Sequence, residues 1–240
     1  MKSNNTDLTL HLFAGNTKDF SWVECWQGIV QDEKDKASKM RHLNDQITSV
    51  IVRAQLRKCL SQFMGIPPLE IVLAQNAFGK SLLQNASRLS FSVAHTENTF
   101  VIAISEFASI GVDIESVSRK CQLEKITAVL LTPEECELWK QSKGVSNATQ
   151  ELLKLWTQKE ALVKSLGTTL EKGMQAFQLW HDGNSYVPNR SEIRQNNHCY
   201  TVLTDSRMPS FFISIAIQST EFVQPNIEFH TLSNELHYCA

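Results

Sequence analysis

The sequence predicts an α+β fold made of two similar α/β lobes in one chain. Three observations lead there. Each half carries a long helix-forming run closed by a glycine, each continues into short apolar strands, and no low-complexity linker separates the halves. With 240 residues, 42% of them apolar and 20% charged, the chain has material for one large core or two modest ones. A net charge of -2 provides no basic field for nucleic acid, and no acidic block suggests a disordered tail. The first residues, Met1 to Asp7, are polar and lack the apolar core of a secretory signal. The most apolar short stretch, Phe211 to Ile217, falls far below the about 20 residues that a membrane helix needs. The expectation is a cytoplasmic protein that engages neither nucleic acid nor membrane. Six cysteines (Cys25, Cys59, Cys121, Cys136, Cys199, Cys239) are scattered with no C-x-x-C pair, so they read as reduced and structural. His198 and Cys199, being adjacent, would point to opposite faces of a strand.

Taken in order, Leu8 to Phe13 is an apolar run that predicts the first strand, and Asp32 to Met40 is charged and helical in composition. From Ile47 to Met64 apolar residues recur near helical spacing until Gly65 stops the run and Pro67-Pro68 forbids its resumption. Strands are predicted at Leu69–Leu73, Leu89–Ala94, Phe100–Ser105 and Ile110–Ile114. Thr132-Pro133-Glu134-Glu135 is a helix start: the threonine caps, proline takes the first helical position, and Glu135 bonds back to the cap amide. An amphipathic helix follows over about Gln150 to Leu166, ending at Gly167, then strands at Phe177–Trp180, Tyr200–Leu203 and Phe211–Ile217. The halves read alike, with Phe100 to Ile104 mirroring Phe212 to Ala216. The join is expected near Glu106 to Gly111, dividing residues 1–108 from 109–240.

Two segments concentrate charge where packing is expected. In Gly111-Val112-Asp113-Ile114-Glu115, strand alternation puts Ile110, Val112 and Ile114 on one face and Gly111, Asp113 and Glu115 on the other. Carboxylates two residues apart lie about 7 Å apart along a strand, close enough to converge on one hard cation. Gly111 leaves room beside them for something bulky. The same five residues also describe a half-exposed strand with solvated acids. In Trp156 to Lys164, Lys159 falls inside the apolar stripe of the helix and Glu160 at its margin, with Lys164 one turn on. A structural Glu160–Lys164 pair accounts for two of these charges. Lys159 needs a partner or a ligand, because a buried charge is costly alone. His95, at the end of a predicted strand, is well placed to donate to a phosphate, and Phe78-Gly79-Lys80 is a turn presenting a lysine.

Together and in this order, these segments resemble the Sfp-type 4'-phosphopantetheinyl transferases. That family carries a G-K-P turn, a strand F-N-x-S-H-S, then G-[IV]-D-[IV]-E and W-x-x-K-E-[AS]-x-x-K. Gly79-Lys80, Phe91 to Thr96, Gly111 to Glu115 and Trp156 to Lys164 occupy those places. Asp32 to Met40 and Arg53 to Leu60 resemble two further family segments, so the likeness runs from about residue 8 to about residue 217. Departures are Ser92 and Ala94 for the usual Asn and Ser, Ser81 for proline, and Thr169 for a glycine.

The resemblance implies the pseudo-duplicated transferase fold, with the first lobe binding coenzyme A and the second holding the metal and catalytic motifs. It implies a reaction too: Mg²⁺-dependent transfer of phosphopantetheine from coenzyme A to a serine of an apo acyl or peptidyl carrier protein, releasing adenosine 3',5'-bisphosphate. By residue-wise match, Asp113, Glu115 and Glu160 hold Mg²⁺. Glu160 serves as base, directly or through a metal-bound water, and Lys164 and Lys159 stabilise phosphate charge. Lys36, Lys80, His95 and Lys164 contact coenzyme A. The two lobes would make the cleft without a second subunit, so a monomer is expected. The rival readings are another Mg²⁺-dependent pyrophosphate-cleaving enzyme, and a non-catalytic carrier-protein binder.

Overall fold

Helix stops and strand alternation account for most of the architecture in the computed structural model, which describes residues 8–84, 88–106, 109–119, 127–142, 147–181 and 186–234. The elements run β1 (Thr9–Asn16), α1 (Trp22–Gln27), α2 (Gln31–Ser38), α3 (Leu43–Met64), β2 (Leu73–Gln75), β3 (Ser81–Leu83), β4 (Ser90–Thr96), β5 (Thr99–Ser105) and β6 (Ser109–Ser116). They continue with α4 (Thr127–Leu130), α5 (Pro133–Ser142), α6 (Ala148–Leu166), α7 (Leu170–Gly173), β7 (Arg190–Gln195), β8 (His198–Asp205), β9 (Phe211–Ser219) and β10 (Asn226–Leu232). Cys121, Cys239, Met1 to Asp7 and residues 107–108 of the expected join lie outside the described residues.

The long helices end as their sequences predict. Gly65 caps α3 at φ 65° and Gly167 caps α6 at φ 64°, a left-handed conformation that glycine adopts without a Cβ penalty. At the start of α5 the reciprocal cap is complete: the Glu135 amide donates to Thr132 Oγ1 at 3.2 Å, and Glu135 Oε2 accepts from the Thr132 amide at 3.0 Å.

Two four-stranded sheets form, ordered β10-β1-β5-β4 and β6-β9-β8-β7. The duplication is visible in them. In each half a first strand pairs antiparallel with the last strand of the repeat, β1 with β5 and β6 with β9, and the long helix packs over that sheet. β4 and β6 run side by side across the join, tied by the Ser90 and Ser92 hydroxyls, which accept from the Ile110 and Val112 amides at 3.3 and 3.0 Å. A third core, built from Leu10, Leu12, Val101 and Ala103 of one sheet and Val112, Ile114, Ile213 and Ile215 of the other, joins the two lobes. No helix among the described residues is long and apolar enough to cross a membrane.

Two expectations need correction. Leu69–Leu73 is not a strand: Pro68–Glu70 forms a 3-10 turn and the strand begins only at Leu73. Pro68 sets the turn, and the buried Arg57 draws the Pro68 and Ile71 carbonyls to itself at 2.7 and 2.9 Å. Phe177–Trp180 joins no sheet, because the Leu179 and Trp180 amides donate instead to Glu135 Oε1. One strand crosses the expected division between residues 108 and 109. β10 returns to the first lobe and pairs parallel with β1, in a register that sets His11 beside Glu228.

Candidate active site

β6 delivers two acids to one place by simple alternation. Val112 and Ile114 enter the inter-sheet core, while Asp113 and Glu115, both buried, face α6. Gly111 explains how the helix comes so close: a Cβ there would lie 2.0 Å from the Ala161 carbonyl oxygen and 2.5 Å from the Ser165 nitrogen. The bulky neighbour that Gly111 admits is therefore the helix backbone itself. That crossing brings Glu160 and Lys164 over the strand, with Lys164 Nζ 2.7 Å from Asp113 Oδ1 and 3.8 Å from Glu160 Oε2. One ammonium thus sits between two carboxylates that would otherwise repel.

The electrostatics of the pair are unbalanced. Burial pushes the Asp113 carboxyl up, only partly opposed by Lys164. Burial, reinforced by the Asp113 charge, raises Glu160 from its ordinary 4.5 to about 7. Asp113 Oδ2 is buried and finds no hydrogen-bond partner among the described residues. An orphaned carboxylate oxygen beside a second carboxylate fits a hard cation with oxygen ligands such as Mg²⁺, which Asp113 and Glu160 could hold with Glu115 beside them. Glu115 is engaged at present: Thr96 Oγ1 donates to its Oε2 at 3.1 Å and Arg119 pairs with its Oε1.

Lys164 also borders a cavity of about 540 Å³, whose lining includes Asp45, Arg53 and Leu56 of α3, Phe78 to Ser81, Phe91 to Val93 and His95 of β4, and Gly167 and Thr168 beyond α6. The turn carrying Lys80 is docked on the end of α6, since Asn76 Nδ2 donates to the Gly167 carbonyl at 2.8 Å. Lys80 Nζ reaches the Ile110 and Ser165 carbonyls at 3.2 and 3.4 Å, and burial lowers its pKa to about 8. His95 opens to solvent at the mouth yet is surrounded by protein. Burial and then Lys164 lower its pKa, against the pull of Asp45 and Asp113.

Residues 109–234 match the family model of the 4'-phosphopantetheinyl transferase superfamily, and residues 16–107 match that of the 4'-phosphopantetheinyl transferase N-terminal region. The chain belongs to that superfamily. Among its relatives, the 4'-phosphopantetheinyl transferase gsp of Aneurinibacillus migulanus is 29% identical over 170 residues, 68% of each chain. The 4'-phosphopantetheinyl transferase HetI of Nostoc sp. is 28% identical over 147 residues, 60% of this chain and 62% of its own. The L-aminoadipate-semialdehyde dehydrogenase-phosphopantetheinyl transferase of Mus musculus is 21% identical over 167 residues, 65% of this chain and 54% of its own.

Within this transferase-family chain, Lys164, Lys80 and His95 line one cleft, and Asp113 and Glu160, with Glu115 two residues on along β6, gather beside Lys164. Two expected site residues do neither. Lys159 is 1% exposed and points away from the cleft, paired with Glu135 and donating to the Leu130 carbonyl at 2.8 Å. Its place in the apolar stripe is a structural one, which corrects its assignment to phosphate charge. Lys36 lies on the open face of α2, 2.7 Å from Asp32, and does not line the cavity. The departure at Ala94 has a packing meaning: its side chain lies in the inter-sheet core, not in the cavity. Sequence reasoning missed Arg119 and Asn76. Only tertiary contacts single out either one, although Arg119 does stand one helical turn's spacing beyond Glu115.

Proposed function

We propose that the chain transfers the 4'-phosphopantetheine arm of coenzyme A to a serine of an apo acyl or peptidyl carrier protein, with Mg²⁺, releasing adenosine 3',5'-bisphosphate. The observation that carries the reading is the convergence of Asp113, Glu160 and Lys164 at the edge of a cavity that also presents Lys80 and His95. Residues 1–108, joined by β10, supply most of the cavity wall for coenzyme A, and residues 109–240 supply the carboxylates. Because the cleft comes from two halves of one chain, the working form is a monomer in the cytoplasm.

Asp113 and Glu160, with Glu115 beside them, would hold Mg²⁺, which when bound would supply neutralisation of the pyrophosphate charge. Lys164, already between the carboxylates, follows the charge that develops on the phosphate oxygens. Lys80 and His95 orient the phosphates from the cavity side. The serine oxygen attacks the β-phosphorus, the bond to the bridging oxygen breaks, and the bisphosphate leaves with that oxygen. Glu160 takes the serine proton. In the metal-free site, burial and the Asp113 charge make this carboxylate a stronger base than a free glutamate.

The test is incubation of the full chain with an apo carrier protein, coenzyme A and Mg²⁺, read by intact mass. Gain of one phosphopantetheine arm on the carrier supports the reading. Cleavage of coenzyme A without transfer indicates a pyrophosphate-cleaving enzyme, and binding of the carrier without either reaction indicates a non-catalytic binder.

A further inference from the structure

A second polar cluster lies at the far side of the first sheet. The order β10-β1-β5-β4 sets β4 at the cleft and the β1/β10 pair two strands away. On β10 the sequence Glu228-Phe229-His230 alternates: Phe229 packs towards the inter-sheet core, and Glu228 and His230 share the opposite face. The parallel register sets His11 beside Glu228 and Phe13 beside His230. Side chains that strand order alone brings together thus offer two imidazoles and a carboxylate.

The distances suit a metal. His11 Nδ1 lies 3.3 Å from His230 Nε2 and 3.3 Å from Glu228 Oε2, and the third edge, His230 Nε2 to Glu228 Oε2, is 4.0 Å. A tetrahedral ion with ligand bonds of about 2.0–2.1 Å needs ligand atoms about 3.3–3.4 Å apart. Two edges already meet that spacing, and the third closes with a small swing of Glu228, whose side chain is 47% exposed. Among the described residues this is the one group that brings three such ligand atoms within 4.8 Å of one another. Aromatic rings hold the imidazoles in place. Phe63 of α3 lies 4.7 Å from His11 between centroids, and Phe13 stacks on His230 at 4.6 Å. These ring contacts restrict rotation of the imidazoles.

We propose that His11, Glu228 and His230 form a zinc site, separate from the transfer cleft, that clamps the strand β10 onto β1. Two imidazoles and one carboxylate select a borderline cation such as Zn²⁺, whereas Mg²⁺ prefers all-oxygen ligands. Three protein ligands leave the fourth position to water. The inference stands independently of the transfer reaction, because none of the three residues borders the cleft.

The experiment uses the full chain, stripped with chelator and dialysed against Zn²⁺ with excess Mg²⁺ to occupy the oxygen-ligand acids of the cleft. Wild type is expected to hold one more equivalent of zinc than either His230→Ala or Glu228→Gln, with an affinity for that equivalent more than about a hundredfold above the variants'. That exceeds what loss of a mere outer-shell partner costs. Zn²⁺ should raise the Tm of wild type in a concentration-dependent way and leave that of the variants unmoved. Co²⁺ in place of Zn²⁺ should give visible ligand-field bands in wild type only. Both variants keep every cysteine and every cleft acid, so equal zinc uptake and identical Co²⁺ spectra in all three proteins would overturn the proposal. Such a result would leave the cluster as a hydrogen-bonded histidine pair. Circular dichroism of the metal-free proteins separates loss of metal from loss of fold, and Glu228→Gln keeps the test available if His230→Ala unfolds.

Discussion

Helices α3 and α6 are anchored alike, yet only α6 forms part of a carboxylate site. In each lobe a glutamate at the third position of a preceding helix turns back on its own helix start. Glu33 accepts from the Val30 amide at 3.2 Å, and Glu135 accepts from the Thr132 amide at 3.0 Å. Each glutamate then holds a fully buried cation 24 residues on, Arg57 or Lys159. The capping glycine follows at the same interval in both, at Gly65 and Gly167. The divergence lies one residue past the anchor and on the facing strand. Lys58 follows Arg57 and is exposed, whereas Glu160 follows Lys159 and faces the strand. By their pairing with β5 and β9, Phe13 and Gly15 of β1 correspond to Asp113 and Glu115 of β6. The shared ion pair is therefore scaffold, and the two lobes differ in the residues beside it.

The most direct way to break this comparison is to remove an anchor. Arg57→Met and Lys159→Met should each destabilise the fold by about 3–5 kcal/mol, the cost of leaving one charge of a buried pair uncompensated. At a temperature where Lys159→Met remains folded, its kcat should stay within a few-fold of wild type. Chemical denaturation and turnover measured side by side check both. A large kcat loss in a fully folded Lys159→Met would return that residue to the reaction.

Asp113→Ala should lower kcat/KM by about 10³-fold or more, at the upper end of the range for losing a fixed electrostatic stabiliser. The equivalent first-lobe change, Phe13→Ala, should cost about 3–5 kcal/mol of stability, as for other buried phenylalanines, and little rate per folded molecule. Steady-state kinetics with melting curves on both proteins would show whether the lobes have divided the work in this way.

Glu160→Gln should depress kcat by at least about a hundredfold, and saturating Mg²⁺ should not restore it, because an amide cannot accept the serine proton. Stability should move the other way. Folding raises the Glu160 pKa from 4.5 to about 7, so between those values the folded state binds more protons than the unfolded chain. Stability is then lost as pH rises through that window, while the base form needed for turnover appears. At pH 8 the Gln variant should melt higher than wild type, by on the order of 1–3 kcal/mol at about 1.4 kcal/mol per pKa unit. A variant that is no more stable at pH 8 than at pH 4 relative to wild type would show that Lys164 offsets the burial of this carboxylate.

The smallest effect is expected at Lys36. Its exposed pair with Asp32 is worth less than about 0.5 kcal/mol. With no place in the cavity wall, Lys36→Ala should leave KM for coenzyme A within about twofold. A tenfold rise would show that α2 moves to meet the substrate.

Local rules in the sequence determined a large part of this protein. The glycine stops at Gly65 and Gly167, the Thr132–Glu135 cap, the alternation that sets Asp113 and Glu115 on one face, and the repeat of helix and strands are all short-range consequences of backbone sterics and periodicity. Whether a charge inside a helical stripe serves chemistry or packing was not decided there. Lys159 and Glu160 are neighbours of similar pattern, and only the position of Glu135 sends one into the core while the close crossing at Gly111 sends the other to the cleft. The return of β10 to the first sheet, and with it the meeting of His11 with Glu228 and His230, likewise depends on contacts more than 200 residues apart in the chain, as in the His11–His230 separation of 219. Strand pairing at that range leaves no periodic trace in either segment, because each strand alternates the same way whichever partner it finds.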